Sequence, residues 1–459
     1  MKTQPVSARR KSMLWLSLLI VSLFGVAMFP QRPASAHLRA GRAGSNVANT
    51  TTTLPPGGNF NVYLPMILVG STSDGPAYTI ERTLSDGAQR NTIAFDALAF
   101  ITSNLGADSF FPPGKVADFW GFQYLRDNDP TQMGHNTDFL TRAAFNMLHV
   151  LTSAQRLELI TLAKSQVAEI NQYAYDRFVL MEAFNRLLVG DLPAGSSGLD
   201  PAAVQAYSAG LYRLDGEISY ARAQVMGGQL RSLDATQRAT LDAMVGQGML
   251  AWPIVDEPVE LQGLERDVKV AVMTYAGDMF SWYAGSIEAD VYFCPERQGT
   301  YFGSFYMKDA PAVGNPGYSI PVNLTAEMGA AFLQILTPDQ AATITDLVNA
   351  QKPALYEIVD RREDVSVLLR QFMDGSTPDE TAVLALMDRY GELDGDIVAR
   401  YAVAFAQVAQ SLTTNQRDQL MNLRTNLLGD LAFPNGAYLY SQPIAMPEIP
   451  NSDFLFLVP

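Results

Sequence analysis

The chain carries one helical unit twice, and that duplication constrains its fold more than any other feature. Ala107-Asp-Ser-Phe-Phe-Pro-Pro113 returns as Ala289-Asp-Val-Tyr-Phe-Cys-Pro295, 182 positions on (289 − 107). In the same register Phe119-Trp-Gly-Phe-Gln-Tyr-Leu-Arg-Asp127 returns as Tyr301-Phe-Gly-Ser-Phe-Tyr-Met-Lys-Asp309. Leu214-Asp-Gly-Glu-Ile218 returns as Leu393-Asp-Gly-Asp-Ile397, with order preserved and spacing drifting by a few residues. A repeat of this length sets the architecture before any local reading. It predicts an all-α fold of two tandem homologous helical bundles after a flexible N-terminal tether, unit 1 over 93–258 and unit 2 over 275–450. The charged stretch 259–274 reads as the connection.

Helix signals support this. Asp200-Pro201 pairs a good N-cap with a residue suited to the first helical position. Val204, Tyr207, Leu211, Leu214, Ile218, Ala221 and Val225 then follow at alternating steps of three and four, the stripe of a bundle helix. Thr377-Pro378-Asp379-Glu380 predicts a capped start in the second unit, with the stripe Val383, Leu386, Tyr390, Leu393, Ile397, Ala404 and Val408 behind it.

Four further starts share one pattern: Leu151-Thr152-x-x-Gln155, Leu233-Asp234-x-x-Gln237, Leu336-Thr337-x-x-Gln340 and Leu412-Thr413-x-x-Gln416. Thr or Asp accepts from free amides of the first turn, Gln reaches back to the cap's own amide, and the preceding Leu staples the turn. On these residues the chain resembles the LTxxQ-motif periplasmic family of Spy and CpxP, small all-helical stress proteins that hold unfolded clients or sense envelope damage. The resemblance covers the boxes alone. It implies an exported helical binding protein and assigns no binding residue. The chain departs from that family in being several times longer and strongly acidic.

Residues 1–36 read as a signal peptide: basic Lys2, Arg9, Arg10 and Lys11, an apolar run from Met13 to Phe29, and Ala34-Ser35-Ala36 as cleavage site. An uncleaved anchor is the alternative. An extracytoplasmic location follows. Residues 37–75 form a low-complexity tether containing the short apolar stretch Val62–Val69. The full chain carries net −15; removing the five basic residues of 1–36 leaves 27 basic (32 − 5) against 47 acidic, a net −20. That charge argues against nucleic acid and favours a protein or small-molecule ligand, cationic ones included. The single Cys294 excludes an internal disulfide, and the missing Cys-x-x-Cys-His excludes covalent haem.

The candidate chemistry is carboxylate chemistry. Asp215, Glu217, Asp394 and Asp396 bracket a glycine in each long helix. The stripe places Asp215 and Glu217 on its two flanks with Gly216 opposite. The bland reading is a tight helix contact beside solvated acids, and the sharp one is an oxygen site for a divalent cation. Asp108, Asp290, Asp127 and Asp309 are the other duplicated acids and suit caps or turns. The run Asp127 to Asp138 faintly resembles a calcium loop but lacks Gly at its sixth position. Trp120, Tyr124, Phe302 and Tyr306 could line an apolar cleft. No zinc, di-iron, serine-hydrolase or phosphate-loop motif is present. The first expectation is therefore an exported, non-enzymatic binding or chaperone-like protein; a carboxylate-based metal-binding protein or enzyme, and a structural envelope protein, are the alternatives.

Overall fold

The computed structural model describes residues 84–102, 138–245, 252–285, 287, 290, 311–312, 315–319, 324–428 and 448–457. The protein is all-α. Its helices are α1 (Asp86–Thr102), α2 (Asp138–Val150), α3 (Ser153–Val189), α4 (Pro201–Ser232), α5 (Ala235–Met244), α6 (Arg266–Ala284), α7 (Leu324–Ile335), α8 (Pro338–Thr345), α9 (Leu347–Asp374), α10 (Glu380–Ser411) and α11 (Thr414–Leu428). A short antiparallel pair, β1 (Pro311–Ala312) and β2 (Asn315–Ser319), is the only sheet among the described residues. None of the described helices is long and apolar enough to cross a membrane.

The helix starts follow local chemistry. All four Leu-Thr/Asp-x-x-Gln boxes form. Thr152, Asp234, Thr337 and Thr413 each accept from the amide three residues on, and each Gln side chain accepts from the cap's own amide. Asp200 caps α4 by accepting from the Ala202 amide at 3.0 Å, with Pro201 first in the helix. The start of α10 differs from the sequence expectation. Asp379, not Thr377, is the cap, accepting from the Thr381 amide at 3.0 Å. Pro378 lies outside the helix, where its carbonyl accepts from the Tyr220 hydroxyl at 2.8 Å. The expected connection 259–274 is largely helical too, because α6 begins at Arg266. Long helices α3 and α9 stop at Gly190 and Gly375, whose φ of 79° and 87° only glycine adopts without strain.

The described helices gather into two five-membered layers of like design, α8 and α9 together taking the place of α3. One holds α2 to α6. The other holds α7 to α11 with α1. On the repeat read from the sequence, the first helix of each half is thus exchanged. The second-half helix α6 packs on α2, α3, α4 and α5, while α1 packs on α7, α8, α9, α10 and α11. Apolar side chains drive both insertions: Ile93, Phe95, Leu98 and Phe100 on α1, and Val272, Tyr275, Met279 and Trp282 on α6, are all buried.

The layers meet mainly through α4 and α10, with α9 on α4 and α10 on α3 beside them. The crossing is built on glycine. A Cβ added at Gly395 would lie 2.8 Å from Gln205 Cα and 2.9 Å from Ser208 Cβ; one added at Gly216 would lie 3.0 Å from both Leu384 and Met387 side chains. Gly395 stands 179 positions after Gly216 (395 − 216), and Leu384 and Met387 stand at that same interval from Gln205 and Ser208. Gly391, at the same interval from Tyr212, faces it: its Cβ would lie 2.9 Å from that of Tyr212. The contact is reciprocal and antiparallel. Both predicted stripes are therefore only part of the buried surface. On α4, Ser208, Tyr212, Asp215, Ser219, Arg222 and Met226 are buried as well, since α3, α6, α9 and α10 all cover that helix.

The last described residues return to the first layer. The Asp200 amide donates to the Leu455 carbonyl at 2.8 Å and the Leu457 amide to the Gly198 carbonyl at 2.9 Å. Arg186 donates to Ser452 Oγ (2.9 Å) and Asp453 Oδ1 (2.7 Å), with its guanidinium 5.1 Å from the centre of the Phe456 ring.

Candidate functional site

The Asp-Gly-acid elements lie at the helix crossing, and their acids part company. Asp215 and Asp394 are buried, at 3 % and 0 % exposure. This corrects the reading of them as flanking, solvated carboxylates with glycine opposite. The glycine belongs to the crossing, so the acid before it turns inward with it. Glu217 and Asp396 turn outward. Glu217 lies 3.7 Å from Arg213, and Asp396 accepts from Arg400 (2.8 Å) and Gln205 (3.2 Å).

Around the two inward acids runs a buried polar array. Tyr212 and Tyr390 meet across the crossing with tilted rings whose centres lie 4.3 Å apart. Arg362, itself buried, donates to the Tyr390 hydroxyl at 3.0 Å and lies over that ring. Arg177 stands over Tyr173 at 5.7 Å. Burial first, and then the nearby charge of Asp394, holds the Tyr212 phenol well above its ordinary pKa, with Tyr390, Tyr173 and Asp215 adding to the effect. Ser219 donates to Asp215 at 3.1 Å, and Arg222 lies 3.5 Å from Asp278. The array is buried where the layers meet.

Asp290 is paired with an arginine. Arg370 grips its carboxylate with Nε (2.5 Å) and Nη2 (2.9 Å), and Ser366 donates to it at 2.5 Å. Asp108, Asp127, Asp309, Trp120, Tyr124, Phe302 and Tyr306 lie outside the described residues, as do the calcium-loop-like run up to Thr137 and Cys294. No group of three or more His, Cys, Asp or Glu able to hold a metal ion occurs among the described residues.

The capping boxes do more than cap. They join in pairs, one pair per layer. Gln237 Nε2 donates to Gln155 Oε1 (2.8 Å) and to the Val150 carbonyl (2.8 Å). Gln416 Nε2 donates to Gln340 Oε1 (2.7 Å) and to the Ile335 carbonyl (3.1 Å). Gln155 and Gln340 then donate to Ser232 and Ser411 at the ends of α4 and α10. Each corner thereby ties four helix termini together. Sequence reasoning missed the arginine that follows three of the four glutamines. Arg156, Arg238 and Arg417 donate to last-turn carbonyls of the preceding helix, Leu148, Leu230 and Ala409 among them. The recurring Gln-Arg pair was the available signal, and cations at helix C-termini are its physical reason.

Beside the Gln155–Gln237 corner opens a cleft of about 630 Å³. The end of α2 gives Asn146, His149 and Val150; α5 gives Thr236, Gln237, Thr240, Ala243 and Met244; and the extended run after α5 gives Trp252, Pro253 and Val255. That run is pinned on α2: Asn146 Nδ2 donates to the Pro253 carbonyl (2.9 Å), and His149 Nε2 to the Asp256 carbonyl (2.8 Å). Trp252 donates to the Met244 carbonyl at 3.0 Å and packs edge-on against Phe280, which α6 supplies. The helix exchanged from the second half thus backs the cleft wall. The cleft is lined by apolar and polar side chains together and is open to solvent, the composition of a ligand seat. No family model, curated protein or solved structure matches the chain.

Proposed function

We propose that this chain is an exported, all-helical, non-enzymatic binding protein of the cell envelope, with the cleft beside Trp252 as its ligand seat. The observation that carries the reading is that cleft: concave, of small-molecule size, walled by Trp252, Met244, Val150 and Val255, and floored by a corner in which four helix ends are locked together. A locked floor lowers the ordering cost of binding. Export is supported by the basic-apolar-small pattern of residues 1–36. The competing carboxylate-metal reading has less support, since the outward acids Glu217 and Asp396, and Asp290 too, face arginines.

The test is a thermal-shift screen of the chain from His37 onward against apolar small molecules, unfolded client proteins, Ca²⁺ and Mg²⁺. A ligand that binds only the native state raises the melting temperature with its concentration. Stabilisation by a small molecule, lost when the exposed Ala243 is changed to Phe to fill the cleft, is the expected result. A rise with Ca²⁺ or Mg²⁺ that disappears in Asp394→Asn, with no response to organic ligands, would transfer the assignment to the metal reading.

A further inference from the structure

Residues 452–457 meet the body of the protein as a peptide meets its receptor. They follow the second layer in sequence, yet the main helix contacts of their Asp453–Leu455 turn are with α4 and α3 of the first. Leu455 and Phe456 are buried there. Leu199 and Phe456 face each other as an antiparallel bridge, closed by the Asp200 amide on the Leu455 carbonyl and the Leu457 amide on the Gly198 carbonyl. Arg186 takes the other end, 2.7 Å from the Asp453 carboxylate. The Tyr207 ring, 5.6 Å from that of Phe454, flanks the seat. The seat therefore reads chemistry: an acid for Arg186, two consecutive apolar side chains for burial, and a backbone carbonyl and amide for Asp200 and Gly198. Nothing in that set depends on which copy of the chain supplies the segment.

Two observations point beyond a single molecule. Between Leu428, the end of α11, and Glu448 lie 19 residues (448 − 428 − 1). A chain of that length reaches at most about 70 Å, comparable with the diameter of a folded chain of this size. The seat is also rimmed by apolar side chains left open, Val189 at the end of α3 and Phe454 and Leu457 of the segment itself, all exposed. Exposed apolar side chains grouped around a docked segment are surface that a second molecule would cover.

We propose that the α3–α4 end is a docking site for residues 452–457 of a second copy of this chain, the copies exchanging the segment. Exchange costs little, because each contact given up within one molecule is remade between two. Within one molecule the segment meets its seat at an effective concentration on the order of millimolar. A dilute chain is therefore monomeric, and exchange belongs to crowded copies.

Fluorescence polarisation with a labelled peptide of residues 451–459 tests the seat on the chain from His37 onward. Phe456→Asp disables the chain's own segment and leaves the seat intact, so the peptide is expected to bind this variant. The parent chain is expected to bind at least about tenfold more weakly, because its own segment competes. Arg186→Glu, which sets a carboxylate against Asp453, is expected not to bind. Mixing then tests the second copy. Phe456→Asp and Arg186→Glu are each expected to be monomeric by light scattering, and their equimolar mixture to run as a one-to-one complex that excess peptide dissolves. Circular dichroism checks that each variant is folded, and Leu455→Ser replaces Phe456→Asp should that variant unfold. Equal peptide binding by all three chains, no binding to a folded segment variant, or a mixture that stays monomeric would each overturn the proposal and leave the cleft beside Trp252 untouched.

Discussion

Changing Gly395 to Ala is expected to destabilise the protein, although alanine is the better helix former. A Cβ at Gly395 would sit 2.8 Å from Gln205 Cα, against 3.4 Å for the nearest ordinary contact, a shortfall of 0.6 Å (3.4 − 2.8). The obstructing atom is backbone and cannot rotate aside, so α4 and α10 must part. Overpacking of this kind costs about 1–3 kcal/mol. The helix preference of Ala over Gly returns about 1 kcal/mol. The net loss is up to about 2 kcal/mol. Two other glycines act as controls. A Cβ added at Gly210, exposed on α4, would meet nothing within 4 Å, so Gly210→Ala is expected to gain about 0.5–1 kcal/mol. Gly216 meets the flexible side chains of Leu384 and Met387 at 3.0 Å, so Gly216→Ala is expected to fall within about 0.5 kcal/mol of neutral, crowding offsetting propensity. Urea denaturation followed by helical circular dichroism measures all three, read as midpoints at unchanged m-value. A midpoint raised equally by Gly395→Ala and Gly210→Ala would refute the close approach of the two helices, and with it the reciprocal crossing.

Gln416→Leu removes bonds to Thr413, Gln340 and the Ile335 carbonyl at once, and is expected to cost about 1–3 kcal/mol through the amide and carbonyl left without partners; a melting temperature equal to that of the parent would show the corner to be dispensable. Hydrogen bonds from Arg156 and Ser153 lower the Glu260 carboxyl from 4.5 to about 2. A folded-state pKa below the unfolded one stabilises above the unfolded value and is lost as pH falls through the folded one. Stability should therefore drop between about pH 4.5 and 2, and the drop should be shallower in Glu260→Gln when melting temperature is followed against pH. Arg186→Ala frees the C-terminal residues from Ser452, Asp453 and Phe456; limited proteolysis should then clip beyond residue 448 much faster, and an unchanged cleavage rate would mean the backbone pairing with Gly198 and Asp200 suffices.

Much of the local structure was legible because it is set locally. Thr152, Asp234, Thr337 and Thr413 cap their helices through contacts three residues long, which a sequence displays directly. The glycines of the Asp-Gly elements were legible as a close helix approach. Burial of Asp215 and Asp394 was not, because a periodic stripe reports only the apolar part of a buried face, and α4 is covered by α3, α6, α9 and α10 together. The exchange of α1 and α6 was hidden for a different reason. When two halves share a pattern, each first helix fits either partner layer, and nothing in its apolar spacing says which one it joins. The cleft escaped notice because it is assembled from α2, α5 and an extended run far from α2 in the sequence, so no single stretch displays it.

The exchange carries a consequence for synthesis. The layer of α2 to α6 is continuous in sequence and can close as soon as Ala284 has emerged. The other layer cannot, because α1 is made first and its partners begin only at Leu324, 222 residues after Thr102 (324 − 102). At about 5–20 residues per second that interval lasts on the order of 10–40 s. Throughout it Ile93, Phe95, Leu98 and Phe100 lack the layer in which they end, so the nascent chain presents a greasy helix that a holding chaperone is expected to cover until the second half arrives.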